Sequence, residues 1–277
     1  MPTTLLMDGR SPAADLVAAT RRRAEAVTAT LGRRPCLATV LIGDDPASAT
    51  YVRMKQRRCR DAGIDSRHVA LGQVTTTAEA VAAVSALSAD ATVDGILVQH
   101  PTPAQVDERA VFEAIDPAKD VDGVTLSSFA AMALDADAGF RSCTPIVGLL
   151  DHHGVELDGA HVVVIGCSPI LGKPLALLLL ARHATVTSCH VRTRDLAAHV
   201  AAADLVVAAA GSPGLVRGSW LKPGCVVVDA GYSPGNLGDV ATDEAMGIAS
   251  MITPVPGGVG PMTIATLLAQ TVDAAGG

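Results

Sequence analysis

A tyrosine and a lysine four residues apart, Tyr51 and Lys55, fall on one face of a helical pattern. A lysine can deprotonate or polarise a water when burial or a neighbour lowers its pKa. The same pair is more often just a solvated face, so it decides nothing alone. Gln99 closes an apolar run, Gly95–Gln99. Strand carboxyl ends are where doubly wound sheets bind ligands. Asp120 and Asp122 follow Pro117 in Pro-Ala-Lys-Asp-Val-Asp-Gly. They read either as ligand-binding acids or as caps of a turn.

A second group of residues has the chemistry of a phosphate site. Gly166-Cys-Ser-Pro-Ile-Leu-Gly172 lies between a strand-like run and a helical one. In such a turn, backbone N–H groups and the helix dipole meet an anionic phosphate. Ser168 stands where the usual glycine pattern has its middle glycine, so a plain tight turn is an equal reading. The next strand ends Cys189-His-Val-Arg192-Thr193, with no acid until Asp195. An acid there would bind a free ribose hydroxyl, whereas Arg192 suits a 2′-phosphate. Arg192 also reads as a solvated strand-end residue.

Residues 253–263, Thr-Pro-Val-Pro-Gly-Gly-Val-Gly-Pro-Met-Thr, form an uncharged strap opening onto an apolar helix. Prolines pre-set φ and glycines widen the accessible backbone, which gives a rigid loop that can approach a flat ligand.

These residues need elements to position them. Strand-like and helical patterns alternate along the whole chain. Cys36–Ile42, a short run at Val69 and Gly95–Gln99 read as strands, with helices near Ser48–Ala62 and Ala78–Leu87 and a short one before Pro117. Val124–Leu134 reads as a helix leading out of a first domain, and Cys143-Thr-Pro starts another with Pro145 at its first position. A new series follows: strands His161–Ile165, Thr185–Cys189, Leu205–Ala209, Cys225–Asp229 and Ala249–Ile252, with helices Leu171–Ala181 and Arg194–Ala201 between them. A last helix, from about Pro261 to Ala274, would return to the first domain. The rhythm predicts an α/β fold with parallel sheets covered by helices on both faces.

The chain's 277 residues suggest about two domains. Residues 1–123 plus 261–277 would form the first, and 124–260 a dinucleotide-binding second. A net charge of −7 leaves no footprint for nucleic acid. Arginines cluster at Arg21–Arg23 and Arg57–Arg60, both on helical patterns, and read as solvated faces. The six cysteines include no CxxC pair, which points to free thiols in a reducing compartment. Asp8 and Arg10 interrupt the apolar stretch a signal peptide needs. Ala245–Val272 carries no charge, but Pro254, Pro256, Pro261 and its glycines prevent a continuous spanning helix. The expectation is a cytoplasmic protein with no membrane or nucleic-acid partner and no metal.

Six motifs, in order, resemble the methylenetetrahydrofolate dehydrogenase/cyclohydrolase (FolD) family. They are Tyr51-Val-Arg-Met-Lys55, Gly95-Ile-Leu-Val-Gln99-His-Pro, Lys119-Asp-Val-Asp122-Gly, Cys143-Thr-Pro, the Gly166–Pro174 turn and the Pro254–Thr263 strap. The resemblance implies two α/β domains, the second of Rossmann type, with a folate cleft between them. It implies oxidation of 5,10-methylenetetrahydrofolate with NADP and hydrolysis of the methenyl product to 10-formyltetrahydrofolate. It implies Lys55 as the central catalytic residue, Gln99 as its hydrogen-bonding tuner, Tyr51 packing on the folate, and Asp122 holding the pterin N–H groups. Pro256, Gly258, Val259 and Pro261 would shape the other side of the folate site. Thr144, Gly166, Cys167, Ser168, Gly172, Arg192, Thr193, Gly211 and Tyr232 would contact the NADP cofactor, in a homodimer.

Departures from the family pattern are His100 and Thr102 in place of leucines, Cys167 in the phosphate turn, Val191 for a common serine, and Tyr232 for an aliphatic residue. They leave two alternatives open: a dehydrogenase-dominant paralogue with weak cyclohydrolase activity or a modified folate, and a binder of folate and NADP without turnover.

Overall fold

The computed structural model describes residues 3–43, 55–134 and 144–276. They divide into two compact units, one within Asp15–Arg141 and Ile264–Gly277, the other within Met1–Ala14 and Ser142–Thr263.

The first unit is built on three parallel strands, β2 (Cys36–Ile42), β3 (Asp65–Leu71) and β4 (Gly95–Val98), in the order β3-β2-β4. Strand β2, Cys-Leu-Ala-Thr-Val-Leu-Ile, is buried at every residue. Parallel strands covered on both faces read as unbroken apolar runs for this reason. The chain leaves β2 for β3 on one side, then crosses to β4 on the other. That reversal opens a crevice at the carboxyl ends of β2 and β4. Leu37 and Leu97 of the sheet pack with Ala24 and Val27 of α1 (Arg10–Leu31), with Cys59 of α2 (residues 55–61), and with Leu268 and Val272 of the terminal helix, Val259–Ala274. Helix α3 (Thr77–Ala89) opens with a capping box, in which Thr76 and Glu79 satisfy each other's backbone N–H groups. Helices α4 (Glu108–Glu113) and α5 (Leu126–Ala133) complete the unit.

The second unit holds a six-stranded parallel sheet, ordered β1-β9-β8-β7-β5-β6. Its strands are β1 (Leu5–Leu6), β5 (His161–Ile165), β6 (Thr185–Cys189), β7 (Leu205–Ala208), β8 (Val226–Asp229) and β9 (Met251–Ile252). The chain again reverses, from β6 on one side of β5 to β7 on the other. Helices α6 (Thr144–His152), α7 (Gly172–Leu180), α8 (Leu196–Ala201) and α9 (Thr242–Ala245) connect it. Val163, Val206, Val227 and Ile252 lie in one buried apolar cluster.

The compact units differ from the expected division in three places. Residues 1–14 go with the dinucleotide sheet, because β1 pairs in parallel with β9 and the Thr4 hydroxyl donates to the Ala249 carbonyl at 2.8 Å. Helix α5 stays with the first unit instead of leaving it at residue 124, because buried Asp120 ties down its start. The terminal helix, α10, begins at Val259, and the division falls after Thr263 rather than before Pro261. Among the described residues no helix is long and apolar enough to cross a membrane. Cys36, Cys59, Cys189 and Cys225 are buried free thiols, while Cys167 is exposed.

Candidate active site

In the first unit the chemistry gathers at the carboxyl end of the sheet. The backbone N–H of Gln99 continues the ladder onto Val40, so its side chain starts from a fixed point just past β4. Gln99 Nε2 donates to the His100 carbonyl at 3.1 Å, and Lys55 Nζ donates to Gln99 Oε1 at 2.8 Å. The amide is thereby held with its oxygen toward the amine. Lys55 is half-buried, and desolvation lowers its pKa below the ordinary lysine value, partly offset by the charge of Asp122. Such an amine sheds its proton more readily than a surface lysine. Tyr51 lies outside the described residues.

The two acids of the turn separate cleanly. Asp120 is fully buried and accepts from Val124 N, Thr125 N and Ser128 Oγ, which makes it the brace of α5. Lys119 Nζ donates to the carbonyls of Ser88 and Asp90, closing the end of α3. Both flanking residues of the motif are thus structural. Asp122 has no hydrogen bond or ion pair among the described residues. Burial raises its pKa, while His100 and Lys55 act in the opposite direction. The His100 ring stands edge-on to Phe112 with centroids 6.4 Å apart.

In the second unit the turn after β5 reaches the point where the sheet reverses. Gly166 has φ +123°, and a Cβ there would lie 2.1 Å from the Ala209 carbonyl oxygen. A Cβ on Gly172 would lie 1.9 Å from the Gly166 carbonyl oxygen. Both glycines are therefore fixed by close backbone approach. Ser168, in place of a middle glycine, accepts from Leu171 N at 3.1 Å and so tightens the turn that leads into α7. Thr193 Oγ1 accepts from His190 N, which folds the end of β6 into a turn. Arg192 is exposed, and its side chain has no partner among the described residues. Cys167 is exposed in the phosphate turn, Thr144 opens α6, and the Tyr232 hydroxyl donates to Asn236 Oδ1.

Two residues that sequence reasoning passed over organise this end of the sheet. Buried Asp239 accepts from the N–H groups of Ala210, Gly211 and Ser212. The N–H of Gly211 is therefore already used. Buried Asp229, at the end of β8, accepts from Gly231, Asp239 and Val240. The available signal was an acid closing an apolar strand.

The strap has a tighter structural use than its composition suggests. Gly9 N donates to Gly257 O, and a Cβ on Gly9 would lie 1.9 Å from the Gly258 carbonyl oxygen. Gly257, at φ +119°, leaves room for the Arg10 guanidinium. Pro256 and Gly260 are exposed, while Val259 and Pro261 in the first turn of α10 are half-buried.

Comparisons with known proteins also divide the chain into two domains. The family model for the tetrahydrofolate dehydrogenase/cyclohydrolase catalytic domain matches residues 7–122, and that for its NAD(P)-binding domain matches residues 142–276. The chain is similar to bifunctional protein FolD 1 of Salinispora arenicola, 63% identical across 99% of this chain and 98% of the relative. It is 60% identical to bifunctional protein FolD 1 of Streptomyces avermitilis, across 99% and 96%. Among solved structures, the bifunctional FolD enzyme of Campylobacter jejuni superposes with a TM-score of 0.95 at 39% identity, covering 99% of both chains. Trypanosoma brucei FolD, complexed with NADP cofactor and inhibitor, superposes with a TM-score of 0.94 at 35% identity, covering 100% of this chain and 98% of that one. With a lysine–glutamine pair past the sheet of one unit, a close-packed glycine turn past β5 in the other, and both domain models matched, the chain belongs to the tetrahydrofolate dehydrogenase/cyclohydrolase family.

Proposed function

We propose that the chain oxidises 5,10-methylenetetrahydrofolate to the methenyl form with NADP, and hydrolyses the methenyl form to 10-formyltetrahydrofolate. The observation that carries this reading is the 2.8 Å bond from half-buried Lys55 to Gln99, with the carboxylate of Asp122, unpartnered among the described residues, in the same unit. Asp122 holds and orients the pterin through its N–H groups, and Tyr51 stacks on the folate. Lys55 takes a proton from, or polarises, the water that attacks the methenyl carbon. Gln99 Oε1 fixes the direction of the amine. Pro256, Gly258, Val259 and Pro261 shape the folate pocket.

The residues present fit a dinucleotide. Gly166 and Gly172 make a close-packed turn at the sheet reversal, and the Arg192 side chain has no partner to give up among the described residues. Gly166, Cys167, Ser168 and Gly172 would hold the phosphates, Arg192 and Thr193 the 2′-phosphate, and Thr144, Gly211 and Tyr232 the remaining contacts. NADP supplies the hydride acceptor when bound. The protein's part in that step is orientation, since hydride transfer needs alignment more than proton transfer. The enzyme is assigned to the cytoplasm as a homodimer, a state that light scattering checks.

The test is a spectrophotometric assay with methylenetetrahydrofolate and either NADP or NAD. Methenyl product and reduced cofactor both absorb in the near ultraviolet. Turnover with both signals is expected. Ligand protection against heat without any absorbance change would leave a binder only. His100 and Thr102, which stand where the family pattern has leucines, motivate a second outcome in which hydrolysis is slow and methenyl product accumulates.

A further inference from the structure

The first unit carries a cavity of about 660 Å³ at the other end of its sheet from Lys55 and Gln99. Cys36 and Asp65, the first residues of β2 and β3, line it, as does Thr92, just before β4. Lys55 and Gln99 stand past the opposite strand ends, so the cavity is separate from the candidate active site. Four arginines line it, Arg33, Arg34, Arg60 and Arg67, against one acid, Asp65. In a chain of net charge −7, this is a local inversion of sign.

The four guanidiniums differ in what they have left to offer. Arg33 is held by a two-pronged bond to Asp94, at 2.7 and 2.9 Å, and also donates to the Ala91 carbonyl. Arg67 is held by Asp90 at 2.6 Å and touches Thr92 Oγ1 at 3.2 Å, which leaves further N–H groups unused. Arg34 has only a 3.8 Å approach to Asp65, and both side chains are exposed. Arg60 is exposed and has no ion pair or hydrogen bond among the described residues. Asp90 and Asp94 therefore fix two of the cations, while Arg34 has a long pair with exposed Asp65 and Arg60 has no partner among the described residues. Burial raises the Cys36 thiol above its ordinary value, so it adds no negative charge.

We propose that this cavity is a binding site for a phosphorylated small molecule. Its cations arrive from three directions: the residues leading into β2, the end of α2, and β3. Converging guanidiniums suit the three oxygens of a phosphate better than a planar carboxylate. The volume is that of a small-molecule pocket and exceeds what a single phosphate fills. Gln56 and Arg60, four residues apart on α2, both line the cavity, and Lys55 precedes Gln56 on the same helix.

The probe is inorganic pyrophosphate, titrated calorimetrically into full-length protein holding one equivalent of NADP, which fills the dinucleotide turn. Saturable binding at one site per chain is expected, weakening as salt rises. Arg60→Gln and Arg34→Gln are each expected to lose about tenfold in affinity, with unchanged melting temperature because both side chains are exposed. Absence of saturable heat in the wild type would overturn the site. So would equal affinity in the wild type and both variants, which would put the anion elsewhere. Triglutamate binding more tightly than pyrophosphate would overturn the choice of a phosphate.

Discussion

Each unit contains a pair of aspartates near its ligand end, and the pairs are used in opposite ways. In the dinucleotide unit, Asp229 and Asp239 each accept three backbone N–H groups and are buried. Both are spent on holding loops. In the catalytic unit, Asp120 is spent in the same way on α5, but Asp122, two residues on, accepts from nothing among the described residues. A half-buried carboxylate without donors is costly unless something supplies them. The contrast separates scaffold acids from a ligand-binding acid without reference to their order in the chain. Lysines divide likewise: Lys119 Nζ is taken up by carbonyls, whereas Lys55 Nζ donates to a glutamine amide.

The largest expected effect tests the free lysine. Lys55→Met should slow hydrolysis of the methenyl form by about 10²–10⁴-fold, with a smaller fall in the dehydrogenase rate. Stopped-flow decay of methenyltetrahydrofolate checks it, and decay at the wild-type rate would remove Lys55 from the mechanism. The pH profile sharpens the point. Because desolvation lowers the Lys55 pKa, hydrolysis should rise with pH to a plateau reached below the usual lysine titration. The sign for stability follows. Between the lowered folded value and the ordinary value of 10.5, the unfolded chain binds the extra proton. Stability contributed by this group therefore grows as pH rises through that window.

The paired acids give the next two effects, which should fall on different observables. Asp120→Ala strands three buried donors and should cost about 3–5 kcal/mol of stability, read by thermal or urea unfolding. Asp122→Ala should leave the melting temperature nearly unchanged and weaken folate binding by about 1.5–3 kcal/mol, read by calorimetry. Both activities should fall together in that variant. If Asp122→Ala melts early and binds normally, the contrast between the two acids is wrong.

Much of this was legible in the residues. The alternation of strands and helices and the glycine turn after β5 follow from local pattern, whereas the pairing of Lys55 with Gln99 was implied by the family resemblance. What stayed hidden depends on contacts far apart in sequence. Strand β1 is two residues long, and only pairing with β9, some 246 residues away by its register (Leu5 with Met251), places residues 1–14 in the dinucleotide unit. The Lys119-Asp-Val-Asp122 motif does not say which acid caps and which is free, because that depends on where α5 turns. The glycines of the strap looked like room for a ligand, yet a Cβ on Gly257 would meet Arg10, and one on Gly258 would meet Thr253 and the Pro254 carbonyl. Asp239 gave no local signal, since the loop it braces lies 27 to 29 residues before it.

The smallest expected effect concerns a residue at the edge of the dinucleotide unit. Arg192 is exposed at the end of β6, and its backbone N–H rests on the His190 ring nitrogen at 3.1 Å. The side chain is thus free, like Asp122, but lies in water, where a charge–charge contact is worth less. Arg192→Ala should lower kcat/KM with NADP by about tenfold and leave that with NAD nearly unchanged. A guanidinium that reads a 2′-phosphate acts only on the cofactor that has one. The difference should shrink as ionic strength rises, because salt screens an exposed pair. Equal losses with both cofactors would make Arg192 a scaffold residue like Asp239, and a wild-type preference for NAD would remove the 2′-phosphate reading altogether.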